Sequence, residues 1–271
     1  MHQIFSTPIL CDTTLATLLT LAFFAFVAGF IDAVVGGGGL IQLPALLISL
    51  PKTNLATVFG TNKIAALSGT SIAAIEYSKR IKFDYLLLAT ASFFAGLASY
   101  GGAKIVSHID SNALKPFILV ILIVIAIYTI LKKDLGSTTT KDLSIKQQLL
   151  HLTWLSLLIG FYDGFFGPGT GSFFVLGFVL VLGFEFIKAS AYAKVVNCMT
   201  NITALIVFIK DGNFIIHLAI LMAIFNMLGN AIGSKMALTR GNKFVRIVFL
   251  VIVFLMILRY SYNLFIAKIN S

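Results

Sequence analysis

Gly29-Phe30-Ile31-Asp32-Ala33-Val34-Val35-Gly36-Gly37-Gly38-Gly39 closes the first apolar stretch of the chain. At an offset of 131 residues, Gly160-Phe161-Tyr162-Asp163 runs into Gly167-Pro168-Gly169-Thr170-Gly171. The same offset, without gaps, carries Lys63 to Lys194, Ala73 to Ala204, Phe83 to Phe214, Gly102 to Gly233 and Lys104 to Lys235. It also places Lys115 on Arg246, basic on basic. A doubled, intensely apolar chain with Asp and Lys inside its apolar segments has the layout of a membrane transporter.

Composition agrees. Of 271 residues, 59% are hydrophobic and 11% charged, and the mean hydropathy is +1.00. Average soluble domains carry roughly 25% charge, and a fold of this length has too little interior to hide so much apolar surface. The expected class is an all-α polytopic membrane protein with the lipid bilayer as its solvent. The formal charge is +10, but the basic residues lie mostly in short loops, where they set topology and meet anionic headgroups. No basic face of the kind that binds nucleic acid is legible. Cys11 and Cys198 are far apart, and His2, His108, His151 and His217 are scattered, so no disulfide framework, metal site or cofactor is expected. No Lys or Arg precedes Leu15, and Asp12 stands where a signal peptide's basic region would be, which argues against a cleavable leader.

Each half reads as five apolar segments. The first half gives about Leu15–Val35, Leu40–Leu50, Leu55–Tyr77, Tyr85–Val106 and Leu114–Leu131. The second gives about Leu149–Phe166, Ser172–Gly183, Ile187–Ile209, Phe214–Leu238 and Val245–Leu258. A membrane crossing needs about 20 helical residues. The second segment of each half is therefore a half-helix that dips in and stops, and the glycine run before it marks the break. About eight transmembrane segments follow, in a first repeat over 12–132 and a second over 149–267, joined by a polar linker over 133–148. Small residues every fourth position, as in Ala25, Gly29 and Ala33, suit close helix packing in lipid.

Loop charge bears on orientation. If each broken pair re-enters without crossing, the halves are inverted. Twelve loop cations then share one side (Lys79 to Lys82, Lys132 to Lys146, Lys188 and Lys235 to Arg246), against Lys52, Lys104, Lys115, Lys210 and Lys268 on the other. With parallel halves the split is 9 against 8. Cytoplasmic loops hold the excess of Lys and Arg, so the inverted arrangement is preferred, with the linker cytoplasmic and the termini outside.

Four ionisable residues, Asp32, Lys63, Asp163 and Lys194, fall inside apolar segments. At ~2.5–3.5 kcal/mol each on an insertion scale, they cost on the order of 10 kcal/mol unless paired, hydrated or liganded, as much as a domain's whole stability. Two uses compete. In one, Lys63 and Lys194 face each other and hold a small anion. Thr61, Asn62, Asn197 and Asn201 then supply hydrogen bonds, and Gly37, Gly38, Gly39, Gly169 and Thr170 supply backbone N–H groups at the helix breaks. In the other, Asp32 pairs with Lys63, and Asp163 with Lys194, as buried struts. Asp32 and Asp163 can equally serve charge pairing or proton coupling. Gln42 is a weaker cavity candidate, Glu76 reads as a helix-end partner of Lys79, and His217 as a satisfied helical residue.

At these residues the chain resembles the sulfite exporter TauE/SafE family of membrane transporters. The resemblance rests on Gly29 through Ile41 followed by Pro44, on Gly60-Thr61-Asn62-Lys63, on Gly167-Pro168-Gly169-Thr170-Gly171, and on Ala193-Lys194-Val195-Val196-Asn197 with Thr200-Asn201. It covers nearly the whole chain. It implies transport of sulfite, sulfonates, related sulfur oxyanions or organic acids across a bacterial inner membrane. Pro168 and Thr170 stand where glycines are commoner in that family, and Ser172-Phe173-Phe174 replaces the usual approach to a proline, which speaks against a symmetric two-site picture.

A secondary carrier working by alternating access is the leading reading. No Gly-x-x-x-x-Gly-Lys-Ser/Thr phosphate loop is present, so the chain itself does not draw on ATP. Proton coupling and potential-driven exit are both compatible. An anion channel of the same fold is the alternative. An intramembrane serine enzyme built on Ser172 lacks a recognisable base, so no enzymatic activity is expected.

Overall fold

The computed structural model describes residues 14–109 and 143–269. Among them are eight helices and no strand: α1 Leu15–Val35, α2 Gly39–Ser49, α3 Leu55–Ser78, α4 Tyr85–His108, α5 Ile145–Phe165, α6 Thr170–Leu182, α7 Phe186–Lys210 and α8 Ile216–Ile269. The segment expected at Leu114–Leu131 lies outside the described residues, as does the linker up to residue 142.

Polar side chains set the helix starts. Thr14, Asn54 and Asp84 each accept a backbone N–H from the first turn of the helix they precede. Ser144 and Gln147 form a reciprocal capping box, so α5 begins at Ile145, four residues before the expected Leu149. Ile145 to Gln148, expected as linker, are therefore helical. The segments expected at Phe214–Leu238 and Val245–Leu258 run on as α8, broken within by Gly241 at φ 78° and ψ −173°. α1, α4, α7 and the Ile216–Val245 part of α8 are long and apolar enough to cross a membrane. α3 and α5, of 24 and 21 residues, match them in length with more polar sequences. α2 and α6 have 11 and 13 residues, or about 16–20 Å at 1.5 Å per residue, some half to two-thirds of the hydrocarbon thickness.

The two halves interleave. α1 packs on α8 and α5 on α4; α3 packs on α8 and α7 on α4; α3 and α7 meet at the centre. Contacts recur at the repeat offset with the halves exchanged. A methyl on Gly29 would sit 2.2 Å from the Asn226 carbonyl oxygen, and one on Gly160 would sit 2.3 Å from that of Ala95. Asn226 is Ala95 plus 131, as Gly160 is Gly29 plus 131. A repeated close contact between exchanged partners is the pattern that a two-fold arrangement generates.

Two apolar clusters, one around Phe174, Phe178 and Tyr192 and one around Leu43, Phe59 and Phe208, fill the interior beside the buried polar groups, and the outside is also apolar. Leu19 and Phe23 on α1, Phe93 and Leu97 on α4, Trp154 and Leu158 on α5, and Ile220 and Ile224 on α8 are exposed at helical spacing. In water such stripes would form an aggregating surface. In a bilayer they are the lipid-facing side.

Candidate functional site

The site forms where α1 and α5 break. Gly36 ends α1 in the left-handed region at φ 82°, and its backbone lies against that of Gly171 at the start of α6. A methyl on Gly36 would fall 2.2 Å from the Gly171 carbonyl carbon. The other break crosses in the matching sense, with Gly39 against Pro168 and Gly169 against the Leu40 side chain.

A helix that stops inside a membrane leaves carbonyls with no water to bond. At α1 each of the last ones has a named donor. The Asp32 carbonyl accepts from Gly36 N at 2.7 Å and from Lys194 Nζ. The Ala33 carbonyl accepts from Tyr77 at 3.0 Å, that of Val34 from Ser190 at 3.5 Å, and that of Val35 from Ser172 Oγ at 2.9 Å. The Gly36 carbonyl accepts from Ser172 N at 3.1 Å. The donors come from α3, α6 and α7, so the break is braced from three directions. At the second break, Tyr162 donates to the Pro168 carbonyl at 2.6 Å, and Thr170 Oγ1 to that of Gly167 at 2.6 Å.

The four intramembrane charges pair across the halves. Lys63 Nζ lies 2.9 Å from Asp163 Oδ2, and Lys194 Nζ lies 3.1 Å from Asp32 Oδ2. The strut pairing expected from sequence, Asp32 with Lys63 and Asp163 with Lys194, is thus replaced by the crossed one. The reason is the interleaved packing, which lays each central lysine at the C-terminal end of the other half's broken helix, where a cation is favoured. Lys63 also donates to Asn201 Oδ1 at 3.1 Å, and Thr70 donates to Asp32 Oδ2 at 2.9 Å.

A cavity of about 40 Å³ lies between the breaks. A water needs roughly 10–15 Å³ by such a measure, so it has room for a few waters or one small ion. Of the candidates read from the sequence, Asp32, Lys63, Asp163, Asn62, Asn197, Asn201, Gly38, Gly39, Gly169 and Thr170 line it, together with Gln42. Three candidates do not. Lys194 is fully buried behind Asp32, Gly37 is buried off the cavity, and Thr61 donates within α3 to the Thr57 carbonyl and accepts from Ile215 N, just before α8. Asn226, Phe166 and Thr70 also line the cavity and are not among the residues expected from sequence. The available signal was Asn226 with Asn230 four residues on, two amides on one face of apolar α8. Asn226 donates to Gln42 Oε1 at 2.6 Å, and buried Gln42 Nε2 has no acceptor among the described residues. Ser172, the one serine considered as a nucleophile, spends its hydroxyl on the Val35 carbonyl. Exposed His217 lies in the first turn of α8, away from the cavity, and half-buried Glu76 pairs with Lys79 as expected.

Broken, crossing helices around a buried, charge-paired polar cavity, inside an apolar shell, define a multi-pass helical membrane protein of the transporter class. The family described as "Sulfite exporter TauE/SafE" matches residues 21–260, and the chain belongs to that family of membrane transporters. It is 37% identical over 223 residues to "Probable membrane transporter protein ORF9" of Sinorhizobium, covering 82% of this chain and 84% of that one. It is 35% identical over 232 residues to "Probable membrane transporter protein YfcA" of Escherichia coli K12, covering 83% and 82%. With a "Probable membrane transporter protein" of Haemophilus influenzae the figures are 34% over 242 residues, 88% and 92%. No solved structure matches.

Proposed function

We propose that the chain is a secondary carrier that moves a small anion (sulfite, a sulfonate or a related sulfur oxyanion or organic acid) across a bacterial inner membrane. The observation that supports this most is the placing of the Lys63 ammonium in the wall of a buried cavity, among the amides of Gln42, Asn62, Asn197, Asn201 and Asn226. A cation supplies the charge an oxyanion needs, and amide N–H groups supply directed hydrogen bonds. Gln42 Nε2 is a donor awaiting an acceptor, and leaving a buried donor unmade costs ~1–3 kcal/mol, which an arriving oxyanion would recover. Lys194 holds the end of α1 and takes part through Asp32 rather than by touching the anion. The clamp is thus one lysine with a polar wall, not two facing lysines.

Alternating access would rock one half against the other around this cavity. Phe59 and Phe166, a T-shaped pair with centroids 6.1 Å apart, both line it. Their repeat counterparts are Ser190 and Val35, which lie in the hydrogen-bonded brace. The first wall is closed by this ring contact and the Lys63–Asp163 pair, and suits opening when that pair parts, whereas the other is tied to backbone carbonyls.

The test is flux in proteoliposomes holding the full chain, screened with sulfite, thiosulfate, sulfonates and small carboxylates. Labelled anion should accumulate transiently against an unlabelled internal pool. Flux without such counterflow would make the protein a channel, and no flux of any of these anions would overturn the reading.

A further inference from the structure

The geometry points to Asp163 as the proton-binding group of the carrier: it gives up Lys63 and takes a proton whenever Lys63 takes an anion, so one anionic charge and one proton cross together. This coupling rests on the anion-carrier function and deepens it.

Charge balance requires a partner for the anion. Among the described residues, the ionisable ones lining the cavity are Asp32, Lys63 and Asp163, with Lys194 behind Asp32. Two lysines and two carboxylates cancel. A lone anion would leave an uncompensated charge among mostly buried side chains, which burial strongly disfavours. One proton restores neutrality: the Asp163 carboxylate and a hydronium give the acid and a water, and the ammonium of Lys63 passes from the carboxylate to the anion. No other bond changes.

Position selects Asp163 over Asp32. Protonating Asp32 would free Lys194, but Lys194 is fully buried, also donates to the Asp32 backbone carbonyl, and does not line the cavity. It cannot meet an anion there. Protonating Asp163 frees Lys63, which already faces the cavity beside Asn62 and Asn201. The elements packed on α5 bring no competing titratable group into the cavity wall. Tyr85, Tyr100, Lys104 and His108 of α4 are exposed, α6 has none, and none of Lys188, Tyr192, Cys198 and Lys210 of α7 lines it. Nor do Glu76 and Tyr77 of α3, or Lys146, His151 and Tyr162 of α5 itself.

Two measurements test this. Proteoliposomes with a pH-reporting dye inside are given an inward gradient of methanesulfonate, an anion that stays ionised at working pH. Expected is lumen acidification matching anion entry one to one, insensitive to a potassium–valinomycin potential. Flux without protons, or flux that follows the potential, overturns the coupling but not the carrier; absence of flux for every anion screened sinks both. For the residue, methanesulfonate binding to purified protein is followed by thermal shift across pH. Wild type should bind more tightly as pH falls, and Asp163→Asn, which mimics the acid, should bind with that dependence lost. A folded Asp163→Asn that keeps the dependence, or that binds at no pH, overturns the assignment. Should Asp163→Asn fail to fold, Asp163→Glu decides: an unshifted midpoint of the pH profile overturns it.

Discussion

Lys63 and Lys194 occupy matching repeat positions, yet their surroundings give them different work. Lys63 is 4% exposed and faces the cavity; Lys194 is 0% exposed and faces the end of α1. Lys63→Met should therefore abolish anion flux; because it also strands buried Asp163, flux is read on protein shown to be folded, with Asp163→Asn added to Lys63→Met where the single variant does not fold. Normal flux in that variant would remove the anion site from Lys63. Lys194→Met strands buried Asp32 without its cation, and breaking a buried ion pair from one side costs ~3–5 kcal/mol. Its expected signature is a large fall in apparent melting temperature or loss of folded protein; a thermally normal variant lacking only flux would instead make Lys194 a ligand. The four charged residues were legible from sequence because an ion inside an apolar segment is costly. Their pairing was not: it is set by which half of the chain each helix packs against, and the spacing of residues along one chain carries no record of that. Asn226 went unread for a related reason. Its repeat partner is Ala95, so looking for matched positions passes over the residues by which the halves differ.

The helix ends that the sequence announced most clearly are those where an apolar run meets a glycine run or a lone cap such as Asn54. Leu15–Val35 and the start of α3 at Leu55 fall where the apolar runs place them. α5 begins earlier than expected because Ser144 and Gln147 cap each other inside a stretch whose polarity reads as linker. At the first break, two demands meet at Gly36. Its φ of 82° costs a residue with a Cβ about 1–2 kcal/mol, and that Cβ would lie 2.2 Å from the Gly171 backbone. Backbone cannot move aside as a side chain can. Gly36→Ala should therefore lower stability by more than the conformational cost alone, at least ~3 kcal/mol with overpacking included. Gly212→Ala is the control: it shares a positive φ of 70° but meets no atom of the described residues within 4 Å, and it should lose only the conformational part. Equal losses in thermal unfolding of the two variants would mean that the crossing of the breaks contributes nothing.

At the scale of the molecule, interleaving removes any independent half, since α1 lies on α8 and α5 on α4. It does not say whether the exchanged halves point the same way through the bilayer, because a two-fold axis along the membrane normal and one in its plane both exchange partners. Loop charge separates the two. An in-plane axis puts twelve loop cations on one side and five on the other, whereas an axis along the normal leaves 9 against 8. Each cation near an anionic cytoplasmic leaflet is worth about 1 kcal/mol, and the first split is the one that orients a chain during insertion. The in-plane axis also turns Asp32 and Asp163 into equivalent groups seen from opposite sides of the membrane, as rocking about a central site needs. A reporter fused after Ser271 should then read as extracytoplasmic, and one inserted in the Lys132–Gln148 linker as cytoplasmic. Both on one side would require parallel halves, and alternating access by exchange of inverted halves would fall with them.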